Sequence, residues 1–121
     1  MNYKSNIYVA GHNGLVGSAI VRELKKRGYT NIITAPRSKL DLINQEKVLK
    51  FLKNKKPDYI IIAAAKVGGI YSNNKYKAQF IYENLMIQSN LIHSAFLCRI
   101  KNLIFLGSSC IYPKKSKQPI K

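Results

Sequence analysis

An α/β fold, a doubly wound parallel sheet of about four strands, is what this sequence predicts. Three observations carry the prediction. A glycine-rich stretch, VAGHNGLVGSAI, follows directly on a short apolar run. Short β-rich runs alternate along the chain with apolar residues at helical spacing. The run DYIIIAAA is uninterrupted and apolar, the pattern of a strand buried on both faces.

The elements follow in order. Asn6–Ala10 (NIYVA) is a strand that ends at the glycines. From about Gly14 to Arg27, Val16, Ile20 and Leu24 recur at helical spacing, and Gly28 supplies the stop. Asn31–Ala35 (NIITA) is a second short strand, closed by Pro36. Asn44 is placed to cap a helix running to about Asn54, with Val48, Leu49 and Leu52 on one face. Pro57 bars its continuation. Asp58–Ala65 is the third strand, about Lys75 to Cys98 a long helix, Asn102–Gly107 the fourth strand, and the remainder loop. Such alternation gives βαβ units with right-handed crossovers. No linker, internal repeat or low-complexity segment divides residues 1–121, so they are read as part of one domain.

Composition narrows the function. Lys and Arg number 21 against 5 Asp and Glu, a formal net charge of +16. Such a chain attracts polyanions. Its basic residues are nevertheless spread along the sequence, apart from KNKKP and the tail PKKSKQPIK. No helix gathers them with base-reading polar side chains between, so a nucleic-acid partner is not expected. No apolar run approaches the ~20 residues of a membrane span, and no signal core follows MNYKSN. Two cysteines, Cys98 and Cys110, make neither a disulfide framework nor a four-ligand metal cluster. A cytoplasmic protein with no membrane and no metal site is expected.

The glycines supply the chemistry. A strand running into a glycine turn and then a helix presents unpaired N–H groups and the positive end of the helix dipole, which suits a pyrophosphate. In this context Gly11 permits the sharp reversal, Gly14 a close phosphate approach, and Gly17 close packing of helix on strand. The spacing is G-x-x-G-x-x-G. A Rossmann-like dinucleotide site is expected. Past the second strand, TAPRSKLDL carries Arg37 where a carboxylate would bind a ribose 2′-hydroxyl, which favours NADP over NAD.

With AAAKVGGI (Ala63–Ile70) and FLGSSCIYP (Phe105–Pro113), the glycine stretch resembles the extended short-chain dehydrogenase/reductase superfamily. Within it the resemblance is to the GDP-L-fucose synthase family, epimerase-reductases of GDP-4-keto-6-deoxy-mannose. It runs over essentially all 121 residues, which would be the N-terminal part of such an enzyme. The resemblance implies that Gly11, Gly14 and Gly17 hold the pyrophosphate of NADP, with Asn13, Leu15 and Val16 of the same stretch also at the cofactor. Arg37 would meet the 2′-phosphate, Asp41 and Leu42 would flank adenine, and Ala63, Ala64 and Ala65 would line the pocket. Ser108 matches the serine that hydrogen-bonds the sugar's 4-keto oxygen, and Cys110 the cysteine that acts as acid/base in epimerisation. Asn13 departs from the family, which often has an arginine there.

The family also uses a Tyr-x-x-x-Lys pair on a helix after the serine, and a later histidine. Tyr71 and Lys75 have that spacing but precede Ser108, and neither His12 nor His93 matches the histidine. The catalytic helix and the substrate domain are therefore expected beyond Lys121, with little or no turnover by this chain alone and a homodimer at full length. His12 and His93 are read as loop and helix-surface residues and Cys98 as structural. Three rival readings stay open: another sugar-nucleotide epimerase or dehydratase of the superfamily, a non-catalytic NADP-binding fragment, and a basic nucleic-acid binder.

Overall fold

A computed structural model describes residues 1–63 and 74–106 of the chain. Strands β1 (Ile7–Ala10), β2 (Ile32–Ile33), β3 (Tyr59–Ile62) and β4 (Asn102–Phe105) alternate with helices α1 (Leu15–Lys26), α2 (Gln45–Lys55) and α3 (Asn74–Leu97). All pairings are parallel and the sheet order is β2-β1-β3-β4. The chain thus winds from β1 to one side, then crosses to the other.

Period-two alternation divides the apolar residues between two faces. Tyr8, Ala10, Ile60 and Ile62 face a layer built from Val48 and Leu52 of α2 and Ile87, Leu91 and Ala95 of α3. Ile7, Val9 and Ile61 face α1 through Leu24, with Ile20 and Val21 half-buried beside it. Every residue of β1 is buried, as a strand covered on both faces requires. Tyr8 packs its ring at a tilt against that of Phe51, centroids 4.9 Å apart, and burial pushes its hydroxyl well above the usual tyrosine range.

Helix ends follow local chemistry. Gly28, at φ +99°, closes α1, and its N–H donates to Lys25 O. α2 and α3 end instead on non-glycine residues in the left-handed region, Lys56 at φ 47° and Arg99 at φ 60°. At the base of the sheet, Asp58 Oδ2 accepts the Asn6 N–H at 2.8 Å, tying β3 to β1, while exposed Glu23 pairs with Arg27 on α1.

Element boundaries differ from expectation at the strands. The second strand, expected over Asn31–Ala35, pairs only at Ile32 and Ile33. Pro36 has no N–H to continue a ladder, and its carbonyl accepts from Lys39 and Leu40, which turns the chain away from the sheet. The third strand closes at Ile62, although Ala63 N–H still donates to Ala10 O at 2.9 Å. Ala64, Ala65 and Gly107 lie outside the described residues.

Apolar surface remains open among the described residues, notably on β4 and α3. Ile104, Phe105 and Leu106 of and beside the edge strand β4 are exposed. On α3, Tyr82, Leu85, Ile92 and Phe96 form an outward stripe at coiled-coil-like spacing, with Phe96 74% exposed. No described helix is long and apolar enough to cross a membrane.

Candidate functional site

In open α/β sheets, ligands bind beyond the C-terminal ends of the strands, where the winding reverses. Here that point lies between β1 and β3. A cleft of about 190 Å³ opens there, lined by Gly11, His12, Asn13, Gly14, Ala35, Arg37, Leu40, Asp41, Leu42, Ile43, Ala63 and Ile87.

The first wall is the turn from β1 into α1. Gly11 has φ +91°, a backbone conformation that side chains rarely tolerate, and its carbonyl accepts the Gly14 N–H at 3.1 Å. Gly17 is buried beneath this turn. A Cβ there would lie 1.8 Å from Gly11 O and 2.6 Å from its carbonyl carbon, so α1 can seat on the turn only without that side chain. Gly14 differs. It has extended backbone, φ −75° and ψ 171°, and a Cβ there would meet only Gly11 O at an ordinary 3.5 Å. What it withholds is a cap: α1 begins with no side-chain hydrogen bond and no acidic residue in its first turn. Its N-terminal N–H groups and the positive end of its dipole are left at the edge of the cleft.

The second wall is the loop between β2 and α2. Pro36 O accepts the N–H groups of Lys39 and Leu40, both at 2.9 Å, which buries Leu40 and leaves Arg37 exposed at the cleft. Asp41 Oδ1 accepts the Ile43 N–H at 3.1 Å and Asp41 O the Asn44 N–H at 3.0 Å. From α3, buried Asn90 donates through Nδ2 to Leu42 O at 2.8 Å and Ile43 O at 2.9 Å. Backbone donors on one side, a guanidinium on the other and an apolar slot between them can receive a ligand that is anionic at one part and flat and apolar at another. A nucleotide has that character.

The structure brings Gly11, Asn13, Gly14, Arg37, Asp41, Leu42 and Ala63 to one cleft. Gly17 supports it from below, while Leu15 and Val16 stand exposed on the first turn of α1, off the lining. Ala64, Ala65, Ser108, Cys110 and Tyr71 lie outside the described residues. His12, expected as an ordinary loop residue, lines the cleft. His93 is exposed, and half-buried Cys98 packs against the core. Sequence reasoning missed Ala35, Leu40, Ile43, Ile87 and Asn90. Asn90 carried one signal, a polar residue at helical spacing within the apolar row Ile87, Leu91, Ala95. Among the described residues, no group of three or more His, Cys, Asp or Glu could hold a metal ion.

Known proteins with this arrangement agree with one another. The model of the NAD dependent epimerase/dehydratase family matches residues 7–121. Putative GDP-L-fucose synthase 2 of Arabidopsis thaliana is 58% identical over 116 residues, 96% of this chain and 35% of that protein. GDP-L-fucose synthase of Escherichia coli (strain K12) is 49% identical over 117 residues, 97% of this chain and 36% of that protein. Among solved structures, MlghC, a GDP-mannoheptose C4 reductase from Campylobacter jejuni with NADP bound, superposes with a TM-score of 0.87 at 47% identity. It is matched over 100% of this chain and 36% of its own. The chain thus spans little more than a third of the length of these relatives.

Proposed function

The chain belongs to the NAD dependent epimerase/dehydratase family, and on that premise we propose that it is the N-terminal, cofactor-binding part of an NADP-dependent epimerase-reductase that converts GDP-4-keto-6-deoxy-mannose to GDP-L-fucose. The observation that carries the proposal is the cleft itself, where the uncapped start of α1 and the side chain of Arg37 share one opening.

The residues present fit an NADP molecule. The turn at Gly11, Asn13 and Gly14 would receive the pyrophosphate, Arg37 the 2′-phosphate, Asp41 and Leu42 the adenine, and Ala63 with Ala64 and Ala65 the floor beyond β3. Gly17 serves by packing, and Leu15 and Val16 stand exposed on the first turn of α1. When bound, NADPH supplies the hydride that reduces the ketone. Epimerisation beside a ketone needs a proton removed on one face and returned on the other. Cys110 is proposed to carry one of these transfers, since a thiol that ionises can take up a proton and return it. Ser108 is proposed to donate a hydrogen bond to the developing enolate oxygen. The open stripe of Tyr82, Leu85, Ile92 and Phe96 on α3 supports a homodimer of the whole enzyme. A GDP-linked sugar as substrate and a cytoplasmic location complete the proposal; no nucleic-acid partner belongs to it.

Calorimetric titration of the chain with NADP and with NAD tests the cofactor part. Tighter binding of NADP is expected, and equal or absent binding of both would overturn it. A second reading, a GDP-sugar reductase that does not epimerise, is favoured by the 47% identity with the GDP-mannoheptose C4 reductase. Turnover of a panel of GDP-keto-sugars by the full-length enzyme separates the two.

A further inference from the structure

Asn90 does something that the cofactor reading leaves unassigned. It sits on the buried face of α3, 5% exposed, one turn after the cleft residue Ile87. Its side-chain amide reaches the carbonyls of two consecutive residues, Leu42 and Ile43, 48 and 47 positions away in sequence. In an extended chain consecutive carbonyls point opposite ways. Both can meet one amide here because residues 42–43 form a turn. The N–H groups of Ile43 and Asn44 donate to Asp41 Oδ1 and Asp41 O and curl this turn, but both bonds lie within it. Among the described hydrogen bonds, only those from Asn90 tie residues 41–43 to another element.

We infer that Asn90 is a positioning residue: its amide holds the Leu42–Ile43 wall of the cleft at the distance from α3 that receives the adenine half of a dinucleotide. The inference rests on the cofactor reading. Both N–H donors of Asn90 are used on the carbonyls of this wall, and Leu42 and Ile43 themselves line the cleft. Replacement by another side chain leaves two carbonyls without donors beside an apolar layer, and the turn must move to regain partners. Ser94, the next turn along the same buried face, has a hydroxyl without a partner. It supplies a control that disturbs the helix but not the wall.

The experiment uses the whole chain and three variants. Asn90→Asp keeps the shape but sets an oxygen against both carbonyls; Asn90→Leu keeps the bulk without polarity; Ser94→Ala is the control. Circular dichroism fixes the temperature at which each is folded, and calorimetry then measures adenosine 2′,5′-bisphosphate, NADP and nicotinamide mononucleotide. For both Asn90 variants the Kd of the two adenine-bearing ligands is expected to rise roughly tenfold or more, with that of nicotinamide mononucleotide unchanged and Ser94→Ala like the parent. Asn90 variants that are folded and bind adenosine 2′,5′-bisphosphate as the parent does would overturn the inference. Should they not fold, nuclear magnetic resonance of the parent decides: adenosine 2′,5′-bisphosphate is expected to shift the Asn90 side-chain amide signals, and signals that stay in place while the ligand binds would overturn it. A parent chain that binds no NADP overturns the cofactor reading, and this inference with it.

Discussion

Two helix starts frame the cleft, and they are finished differently. α2 is sealed by its own chain: Asn44 Oδ1 accepts the Lys47 N–H at 3.1 Å, and Glu46 lies in the first turn against the positive end of the dipole. α1 has neither device, since Gly14 has no side chain and the first turn has no acid. A helix end without partners is satisfied by water or by a ligand. The difference teaches that the glycines of the first turn divide their work. Gly17 is required by packing, Gly11 by backbone conformation, and Gly14 by what it leaves open.

The comparison breaks most completely at Gly17. Gly17→Ala puts a Cβ into the main chain of Gly11, which cannot give way as a flexible side chain would. A loss of about 3 kcal/mol is expected, measured by urea unfolding, because overpacking here displaces a helix from its strand. Arg37→Ala leaves stability alone and is expected to raise the Kd of NADP by about 10- to 100-fold while sparing NAD, as loss of a charged hydrogen bond does. Parallel titrations with the two cofactors check this, and equal losses would take Arg37 away from the 2′-phosphate.

A sharper test turns α1 into a copy of α2. Gly14→Asp is sterically permitted and supplies the missing cap. Stability is expected to hold or rise by a few tenths of a kcal/mol, while the affinity for NADP falls about tenfold because a carboxylate occupies the donors. Opposite signs in the melting temperature and the titration would establish that the open end is for binding. The mirror change, Asn44→Ala, is expected to cost about 1 kcal/mol of stability and to leave the NADP Kd within about twofold.

The frame of the fold was legible because its signals are local. Three consecutive isoleucines, Ile60–Ile62, demand burial on both faces, and they receive it. The Asn44 cap and the Gly28 stop act within a few residues of themselves, and both stand where the sequence put them. The second strand was read too long because its propensity runs on through Thr34, whereas Pro36 and the turn it starts draw the chain off the sheet. Half of the cleft was legible for the same reason, through the glycine spacing and Arg37. The other half depends on contacts between distant segments. Leu40 and Ile87 meet only after α3 has returned across the sheet, and Asn90 gains its purpose from carbonyls more than forty residues away. Periodicity could flag Asn90 as out of place but could not name its partner.

Three of the carboxylates described above are already engaged at close range. Asp41 and Asp58 accept main-chain N–H groups and Glu23 holds Arg27, in a chain of net charge +16. With 21 Lys and Arg against 5 Asp and Glu, most of its cations must draw their neutralising partners from the buffer. Ionic strength then acts on the molecule twice. Added salt relieves the mutual repulsion of exposed cations farther apart than the Debye length, about 10 Å at 0.1 M, which favours the compact state. The same ions dim the positive field that gathers an anionic cofactor toward the cleft, so association slows as stability improves.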